Sequence, residues 1–303
     1  MSKFDHRSNG RSRTKPFAIP LVVLCLVLLF SWAQAEGPGK YVGQETCLEC
    51  HDTVAEVAFE FTAHGMSDIS GWDGAAGCES CHGPGEAHSD SGGEIELILS
   101  VTRLEPEAVS KMCLSCHEGD VAAHWQSGSH DAFDATCVDC HTVHEKRTMA
   151  SSAVNKNTSE TCLSCHMDMR KHLYQRSRHP LKEGLMSCVS CHDPHGSPAI
   201  ASISAITPND KCYQCHAEQR GPFLFPHQPV AEDCTTCHNP HGSNQASMLE
   251  PAPPRLCQSC HLFGHHQTVP GTPRQAWNVN RSCVNCHSRI HGSNHPSGVM
   301  FMR

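Results

Sequence analysis

The sequence predicts a chain that is mostly coil, with short α-helices and little or no β-sheet. Of its 303 residues, 38% are hydrophobic and only 6% are aromatic, which is a poor stock for an apolar core of this size. No hydrophobic periodicity is long enough for a helix bundle, and no run of strands indicates a sandwich. Cysteine and histidine, by contrast, number 21 and 25. We therefore expect something other than side chains to fill the interior.

The first 35 residues have the pattern of an export signal. Five basic residues precede an apolar run from Phe17 to Phe30, and Ala33-Gln34-Ala35 follows as a small-x-small cleavage site. The alternative is a transmembrane anchor, but the run is shorter than the ~20 apolar residues that a spanning helix needs. Cys25 lacks the preceding small residue of a lipoprotein signal. Cleavage after Ala35 leaves 18 Lys and Arg against 30 Asp and Glu, a balance that argues against nucleic-acid binding.

All 20 cysteines beyond residue 35 fall in one pattern, Cys-x-x-Cys-His. The cysteines are Cys47, Cys50, Cys78, Cys81, Cys113, Cys116, Cys137, Cys140, Cys162, Cys165, Cys188, Cys191, Cys212, Cys215, Cys234, Cys237, Cys257, Cys260, Cys283 and Cys286. The histidines that close the ten motifs are His51, His82, His117, His141, His166, His192, His216, His238, His261 and His287. This pattern is the attachment signature of c-type haem, in which two thiols form thioethers and the imidazole reaches the iron. The two alternatives are zinc sites and disulfides, and neither requires a histidine directly after the second cysteine in every motif.

Ten motifs in residues 36–303 leave few residues for each cofactor. The predicted fold class is therefore a multihaem cytochrome c, elongated, with mostly coil and short α-helices wrapped around ten covalently bound haems. Residues 1–35 are the predicted signal peptide and residues 36–303 the decahaem domain, with pseudo-repeated pentahaem halves at about 36–180 and 181–303. Because haem contacts should cross residue 180, we do not expect the halves to be independent domains.

The spare histidines supply a second axial ligand for each iron. Taken in pairs, the motifs form five repeat units, at about 47–88, 113–144, 162–195, 212–241 and 257–291. Each unit has one histidine in the long segment between its motifs and one trailing its second motif. The long-segment histidines are His64, His130, His179, His227 and His265, and the trailing histidines are His88, His144, His195, His241 and His291.

Three trailing histidines lie only three residues beyond a motif histidine, too close to reach the opposite face of the same haem. We therefore expect them to ligate a neighbouring haem. The choices between His265 and His266 and between His291 and His295 stay open. His124, His172, His266 and His295 are the four left over, expected at the surface or at haem edges. Methionine is the rival ligand, and five methionines lie near motifs: Met66, Met112, Met167, Met169 and Met186.

Local signals indicate only short elements. Asp52–Phe61 and Ser159–Ser177 have helical character, the second with Ser159 as a candidate N-cap. Ile95–Val101 is a possible strand. The segments 193–197, 239–243 and 251–254, rich in Pro, Gly, Asn and Ser, are typical of turns.

Three stretches, together with the motifs, resemble the MtrA/DmsE/PioA family of periplasmic decahaem cytochromes c. They are Ser177–Leu181, the segment from Cys212 to Pro222, and His291–Gly298. The first half is also similar to the pentahaem donor NrfB. The resemblance spans nearly all of residues 36–303. It implies bis-histidine haems and a periplasmic location associated with the outer membrane. It also implies that the protein is inserted in a β-barrel porin of the MtrB/PioB type.

The same resemblance implies further partners: periplasmic or inner-membrane cytochromes on one side, and extracellular multihaem cytochromes, a mineral or a terminal reductase on the other. Extracellular electron transfer would then serve metal reduction, DMSO reduction or Fe(II) oxidation. Long N-terminal extensions of some iron-oxidising relatives are absent, which disfavours the PioA branch.

Three functions compete. Bis-histidine irons have no open position for a substrate, so they favour electron transfer over catalysis. An electron conduit across the outer membrane is the first hypothesis, and a free periplasmic shuttle that donates to a reductase is the second. A multihaem enzyme, the third, needs an iron with an open position, commonly marked by a missing distal ligand or by lysine in place of the motif histidine. No motif here shows that departure.

Overall fold

The structure is a computed structural model that describes residues 39–53, 59–66, 77–119, 122–144, 158–262 and 282–302. The predicted signal peptide lies outside these residues. All 20 motif cysteines lie within them, and none of these 20 forms a disulfide.

Short helices separated by coil make up the described chain. The α-helices are α1 (Gln44–Leu48), α2 (Ala63–Met66), α3 (Glu79–His82), α4 (Glu86–Asp90), α5 (Pro106–Leu114), α6 (Ser129–Ala132), α7 (Cys137–Cys140), α8 (Thr158–Leu163), α9 (Pro208–Tyr213), α10 (Gln228–Glu232) and α11 (Arg255–Gln258). Single 3₁₀ segments lie at Phe59–Phe61, Ile95–Leu97, Trp125–Ser127, Met167–Tyr174, Cys188–Ser190, Ile200–Ser202, Ala217–Gln219, Cys234–Thr236, Ala246–Met248, Cys283–Asn285 and Gly298–Met300.

The β-structure is confined to one two-residue ladder and three single bridges in the described chain. Strand β1 (Phe225–Pro226) pairs antiparallel with β2 (Gly292–Ser293). The isolated bridges are Ser177 with Ser243, His192 with Ile203, and His238 with Leu249. The predicted fold class, mostly coil with short helices and little sheet, is confirmed.

Helix starts follow ordinary capping chemistry where the longer helices begin. Pro106 opens α5 and Pro208 opens α9, the first helical position at which proline is tolerated. The Thr207 hydroxyl accepts from the Asp210 N–H, which caps α9. Helix α5, the longest in the described chain, spans nine residues.

Two local predictions are wrong. Ile95–Val101 contains a 3₁₀ turn rather than a strand, because the Leu99 N–H donates to the His82 carbonyl and fastens this segment to a haem motif. Ser159 lies inside α8, which begins at Thr158, so it is not the N-cap, and its side chain interacts with the Cys188 thiol.

Other local predictions are confirmed wherever they fall on described residues that show the expected turn or helix. The turns at 193–197 and 239–243 are confirmed by hydrogen bonds from Gly196 N–H to Asp193 O and from Gly242 N–H to Asn239 O. The helical character of 159–177 is confirmed as α8 and a 3₁₀ segment. Within 52–61 only the 3₁₀ turn at Phe59–Phe61 is described, and residues 54–58 lie outside the described chain.

The polypeptide supplies almost no apolar core. Among the described residues, the buried apolar side chains are Val109, Trp125 and Leu163. More polar than apolar side chains are buried there, Glu79 and Asn209 among them. Within the described segments, no helix has the length and apolarity to span a bilayer.

Candidate haem-binding sites

Each Cys-x-x-Cys-His motif is folded as a single helical turn. In all ten motifs the N–H of the histidine donates to the carbonyl of the first cysteine, at 2.8–3.1 Å. Residues three and four apart share one face of a helical turn. The two thiols and the imidazole of each motif therefore lie on one side of the backbone, the arrangement that a single porphyrin requires.

The motifs alternate between two backbone settings. In odd-numbered motifs the first cysteine is the penultimate residue of an α-helix, in α1, α5, α8, α9 and α11. In even-numbered motifs the first cysteine begins a short helical turn or directly precedes one. The five repeat units inferred from histidine spacing therefore have a structural counterpart in the described chain.

Cysteine interactions link the ten motifs in sequence order. Within every unit the first cysteines of the two motifs are close enough for each thiol to influence the other, in the pairs Cys47–Cys78, Cys113–Cys137, Cys162–Cys188, Cys212–Cys234 and Cys257–Cys283. The partner thiol and burial together raise the pKa of Cys113 and of Cys162.

Second cysteines interact electrostatically between units. Burial is the main cause that raises the pKa of Cys81, Cys140, Cys191 and Cys237. The second cysteine of the next unit's odd motif raises the pKa further, in the pairs Cys81–Cys116, Cys140–Cys165, Cys191–Cys215 and Cys237–Cys260. These nine pairwise interactions link consecutive motifs from motif 1 to motif 10. The backbone thus arranges its haem-attachment points as a single file.

Nine of the ten motif histidines face a second imidazole in the described chain. The pairs, with their ring-centre separations, are His51–His88 (6.2 Å), His64–His117 (5.9 Å), His82–His144 (6.1 Å), His130–His166 (6.3 Å), His141–His195 (5.8 Å), His179–His216 (6.4 Å), His192–His241 (6.0 Å), His227–His261 (6.1 Å) and His238–His291 (6.1 Å). Two imidazoles on opposite sides of one metal, each bonded at about 2 Å, have their ring centres about 6 Å apart.

The pairs follow one rule, a reciprocal exchange between consecutive units. The long-segment histidine of a unit faces the odd motif of the next unit, as His130 faces His166. The trailing histidine faces the even motif of the preceding unit, as His195 faces His141. The first motif is the exception, because His88 of the same unit faces His51. No described trailing histidine faces the motif histidine three residues before it.

Ring planes differ between the two kinds of pair. Trailing histidines lie nearly parallel to their motif histidines, at 13–24°. Long-segment histidines are tilted by 50–89° at motifs 3, 5 and 7, and by 20° at motif 9.

Backbone carbonyls hold many of these imidazoles through Nδ1. His82, His192, His238 and His287 have Nδ1 within 2.5–2.8 Å of a carbonyl oxygen later in the chain. Donation from Nδ1–H leaves Nε2 unprotonated and fixes the ring, as for metal-bound histidine in general. Burial also lowers the pKa of His241, which favours the neutral form that binds a metal.

The long-segment histidines are anchored by the exchange itself. His130 Nδ1 lies 2.8 Å from the Pro194 carbonyl, and His179 Nδ1 lies 2.9 Å from the Pro240 carbonyl. Each carbonyl belongs to the residue before a trailing histidine of the next unit. The buried His227 Nδ1 faces the corresponding Ile290 carbonyl without a hydrogen bond of normal geometry. One short contact therefore positions the two histidines that consecutive units exchange.

A Gly-Ser pair after three trailing histidines makes this contact possible. Gly196, Gly242 and Gly292 have φ of 106°, 124° and 147°, a region that favours glycine. A Cβ on Gly196 would lie 2.4 Å from the His124 carbonyl oxygen. Ser243 and Ser293 pair with Ser177 and Phe225, two residues before a long-segment histidine.

The remaining predicted positions are placed as follows. His291, rather than His295, faces a motif histidine; His295 is exposed, and its Nδ1 accepts from the Ser297 N–H. His172 packs against His241, and the His124 carbonyl contacts Gly196. His265 and His266 lie outside the described residues, as does the side chain of Met66.

Sequence reasoning missed the side chains that join the two motifs of a unit. Ser110 and Ser159 interact with the thiols of Cys137 and Cys188, the first cysteines of the even motifs in their units. Asn209 accepts from the Cys234 N–H at 2.7 Å. All three precede an odd-motif cysteine by three residues, a shared position that could have identified them. The buried Glu79 inside motif 2 was also missed, and nothing in the repeat marks it.

The donor set fits haem c. Two thiols and an imidazole lie on one turn, and a second imidazole faces the first at the spacing of an axial pair. The iron of a haem so held supplies one-electron redox chemistry. The chain's part is to attach, space and ligate the groups.

Family models and known relatives agree with this donor set. The doubled CXXCH motif family matches residues 130–171, 179–221 and 227–263, and the cytochrome c554 and c-prime family matches 32–83. Each doubled-motif match begins at or within a residue of a long-segment histidine that takes part in the exchange.

Among known proteins, the multihaem cytochrome MtrA of Shewanella baltica is 40% identical over 282 residues, covering 89% of this chain and 84% of that protein. The C-type polyhaem cytochrome OmcB of Geobacter sulfurreducens is 26% identical over 59% of this chain and 26% of its own length. An undecahaem cytochrome from the S-layer of Carboxydothermus ferrireducens is 19% identical over 76% of this chain and 33% of its own, with a TM-score of 0.14, which is too low to compare folds. With its Cys-x-x-Cys-His motifs binding haem c, the chain belongs to the MtrA family of multihaem c-type cytochromes, which are electron-transfer proteins rather than catalytic enzymes.

Proposed function

We propose that this chain binds ten haems c, one at each motif, and that two histidines ligate every iron. The ring pairs described above support nine of the ten ligand sets. Their members are the motif histidines and the exchanged histidines His64, His88, His130, His144, His179, His195, His227, His241 and His291. The ligand exchange across residue 180, in the pair His179–His216, argues for one decahaem domain over residues 36–303.

For the tenth haem we propose His265 as the second ligand of the iron held by His287. Among the five units, the exchange rule names no partner for motif 1, in the first unit, or for motif 10, in the last. Motif 1 takes a histidine from its own unit, and the same solution at the other end selects the long segment of unit 5. Single alanine variants at His265 and His266 separate the two candidates, because only loss of the true ligand opens the iron and produces a high-spin signal in low-temperature EPR.

We propose that the protein is an electron conduit across the outer membrane, working from the periplasm inside an MtrB-type porin after removal of residues 1–35. The observation that carries this proposal is the match to MtrA over 89% of the chain. The interactions between cysteines of consecutive motifs, from motif 1 to motif 10, add support, since conduction needs haems that follow one another in a row. The proposed partners in electron transfer are a cytochrome on the periplasmic side and an extracellular multihaem cytochrome or terminal reductase.

Reconstitution tests the conduit. The chain and its candidate porin are placed in liposomes that enclose a redox dye, and a reductant is added outside. Reduction of the dye only when both proteins are present is the expected result. Dye reduction that does not depend on the porin, or equal activity of the free chain toward a reductase, favours the periplasmic shuttle. A substantial high-spin EPR signal from the wild-type protein at neutral pH would indicate an iron with an open position and would instead support the hypothesis of a multihaem enzyme.

A further inference from the structure

Charge is distributed very unevenly along the repeat units. Between residues 36 and 100 the sequence has 13 Asp and Glu and a single Lys. Between residues 251 and 303 it has five Arg and no Asp or Glu. Since the motifs follow one another in sequence order, the two ends of the series differ in charge. The haems are chemically identical, so any systematic difference between the ends must come from the chain.

One of these carboxylates is buried beside the first two motifs. Glu79, inside motif 2, is 3% exposed. Its Oε1 accepts from the N–H groups of Val42 (3.0 Å) and Gly85 (2.8 Å), and its Oε2 accepts from Gly43 N–H (2.8 Å). All three of these donors are backbone N–H groups, and hydrogen bonds from N–H groups to a carboxylate are stronger than those to a neutral acceptor. Its charge also contributes to the raised pKa of the Cys47 thiol, so the field of Glu79 reaches motif 1.

Exposed carboxylates add to this charge on both sides of the first imidazole pair. Glu45, Glu49 and Asp52 surround motif 1, and Asp90 and Glu94 flank His88. All five are exposed, and none forms an ion pair with a residue of the described chain. In contrast, the charge of Glu96 is compensated by an ion pair with Arg103.

Negative charge near an iron stabilises its oxidised form and therefore lowers its reduction potential. We propose, on the basis of the proposed ten-haem array, that the chain imposes a gradient of reduction potential, lowest at motifs 1 and 2 and highest in unit 5. The buried Glu79 is the main determinant at the low end. Electrons then pass one at a time from unit 1 to unit 5, toward higher reduction potential, and no bond is formed or broken and no proton is transferred. A one-electron reductant supplies unit 1 and a one-electron oxidant drains unit 5.

Buried and exposed charges respond differently to salt. Solvent ions screen exposed charges strongly, with a Debye length of about 3 Å at 1 M salt, but screen buried charges much less. The contribution of Glu79 should therefore persist at high ionic strength, whereas that of Glu45, Glu49 and Asp52 should fade.

Potentiometric titration of the purified, fully loaded protein, followed by visible absorbance, tests the gradient. Glu79→Gln should move the lowest-potential fraction, corresponding to two haems, to higher potential at both low and high salt. The triple variant Glu45→Gln/Glu49→Gln/Asp52→Asn should do so at low salt only. Glu232→Gln, an exposed carboxylate in unit 4, is the control and should leave that fraction unmoved.

An unmoved low-potential fraction in a Glu79→Gln protein that holds ten low-spin haems overturns the gradient, although the conduit itself stands. If Glu79→Gln fails to fold or to load, the triple variant decides: an upward shift at low salt supports the gradient, and no shift overturns it. A wild-type protein without ten low-spin haems would instead refute the proposed array.

Discussion

At the scale of single residues, the molecule depends on histidines that follow one haem motif in the sequence and face the histidine of another motif in the structure. His195 lies three residues after His192, yet its ring stacks at 5.8 Å from that of His141, and its N–H donates to the Asp193 side chain. The Asp-Pro-His-Gly turn directs this ring away from its own motif. The sequence predicted the role but not the identity of the partner.

Replacing His195 with alanine should open the iron at motif 4. The expected result is a high-spin ferric signal equivalent to one haem in ten, because His141 alone leaves the iron five-coordinate. Low-temperature EPR at neutral pH measures it. His295→Ala is the matched control and should leave the spectrum low-spin, since His295 is exposed and faces no motif histidine in the described chain. An unchanged spectrum for His195→Ala would reject the proposed exchange at this site.

Gly196 combines a positive φ with a close approach, and the two effects can be separated. Gly196→Ala meets both a left-handed backbone and the His124 carbonyl at 2.4 Å, whereas Gly184→Ala, at φ 74°, meets nothing within 4 Å. We expect a loss of about 1 kcal/mol in unfolding free energy at Gly184 and clearly more at Gly196. Guanidinium titration followed by the Soret band compares them. Equal losses would mean that the contact with His124 is unimportant.

At the scale of elements, helices too short to be stable alone are held by contacts between the motifs of a unit. A helix of five or six residues is far below the length at which helices form in isolation. Helix α9 is joined to motif 8 through Asn209, whose Nδ2 donates to the Val230 carbonyl at 3.0 Å and whose Oδ1 accepts from Cys234 N–H. Asn209 thus performs in unit 4 what Ser110 and Ser159 perform in units 2 and 3.

Truncation of Asn209 should weaken unit 4. Asn209→Ala leaves the Cys234 N–H and the Val230 carbonyl without their partner, and a loss of about 1–3 kcal/mol is expected. The same guanidinium titration gives the value. Gln228→Ala, which removes an exposed hydrogen bond to Glu232, is the control and should change little. A loss at Asn209 no larger than the control would show that covalent haem attachment alone holds α9 to motif 8.

At the scale of the whole molecule, consecutive units are interlocked by histidines that each places opposite a motif histidine of the other. Each exchange couples a long-segment histidine of one unit to a trailing histidine of the next, so every internal unit is held from both sides. Repeat proteins usually stack through apolar faces. Few apolar side chains are buried in the described chain, and in the proposed ten-haem protein covalent attachment and iron ligation take over that role.

Removing one haem from the middle should interrupt conduction. Cys162→Ser/Cys165→Ser removes the attachment of the fifth haem, and because the motifs form a single file, transfer to the enclosed dye should fall by orders of magnitude. Cys50→Ser, which leaves one thioether at motif 1, serves as the control that tests general damage. Transfer at the wild-type rate through the motif 5 variant would mean that the haems are not arranged in sequence order.

Residue identities and their spacing are enough to predict the haem-attachment motifs, the two spare histidines of each repeat unit, and a mostly coil chain without an apolar core. Those features are local, because a motif of five residues forms its own helical turn. The folded chain was needed to show which histidine faces which motif, that His291 rather than His295 faces a motif histidine, and that Glu79 is buried. These depend on contacts between residues 34 to 64 positions apart, made through glycine turns and backbone carbonyls, and side-chain identity alone does not specify such contacts.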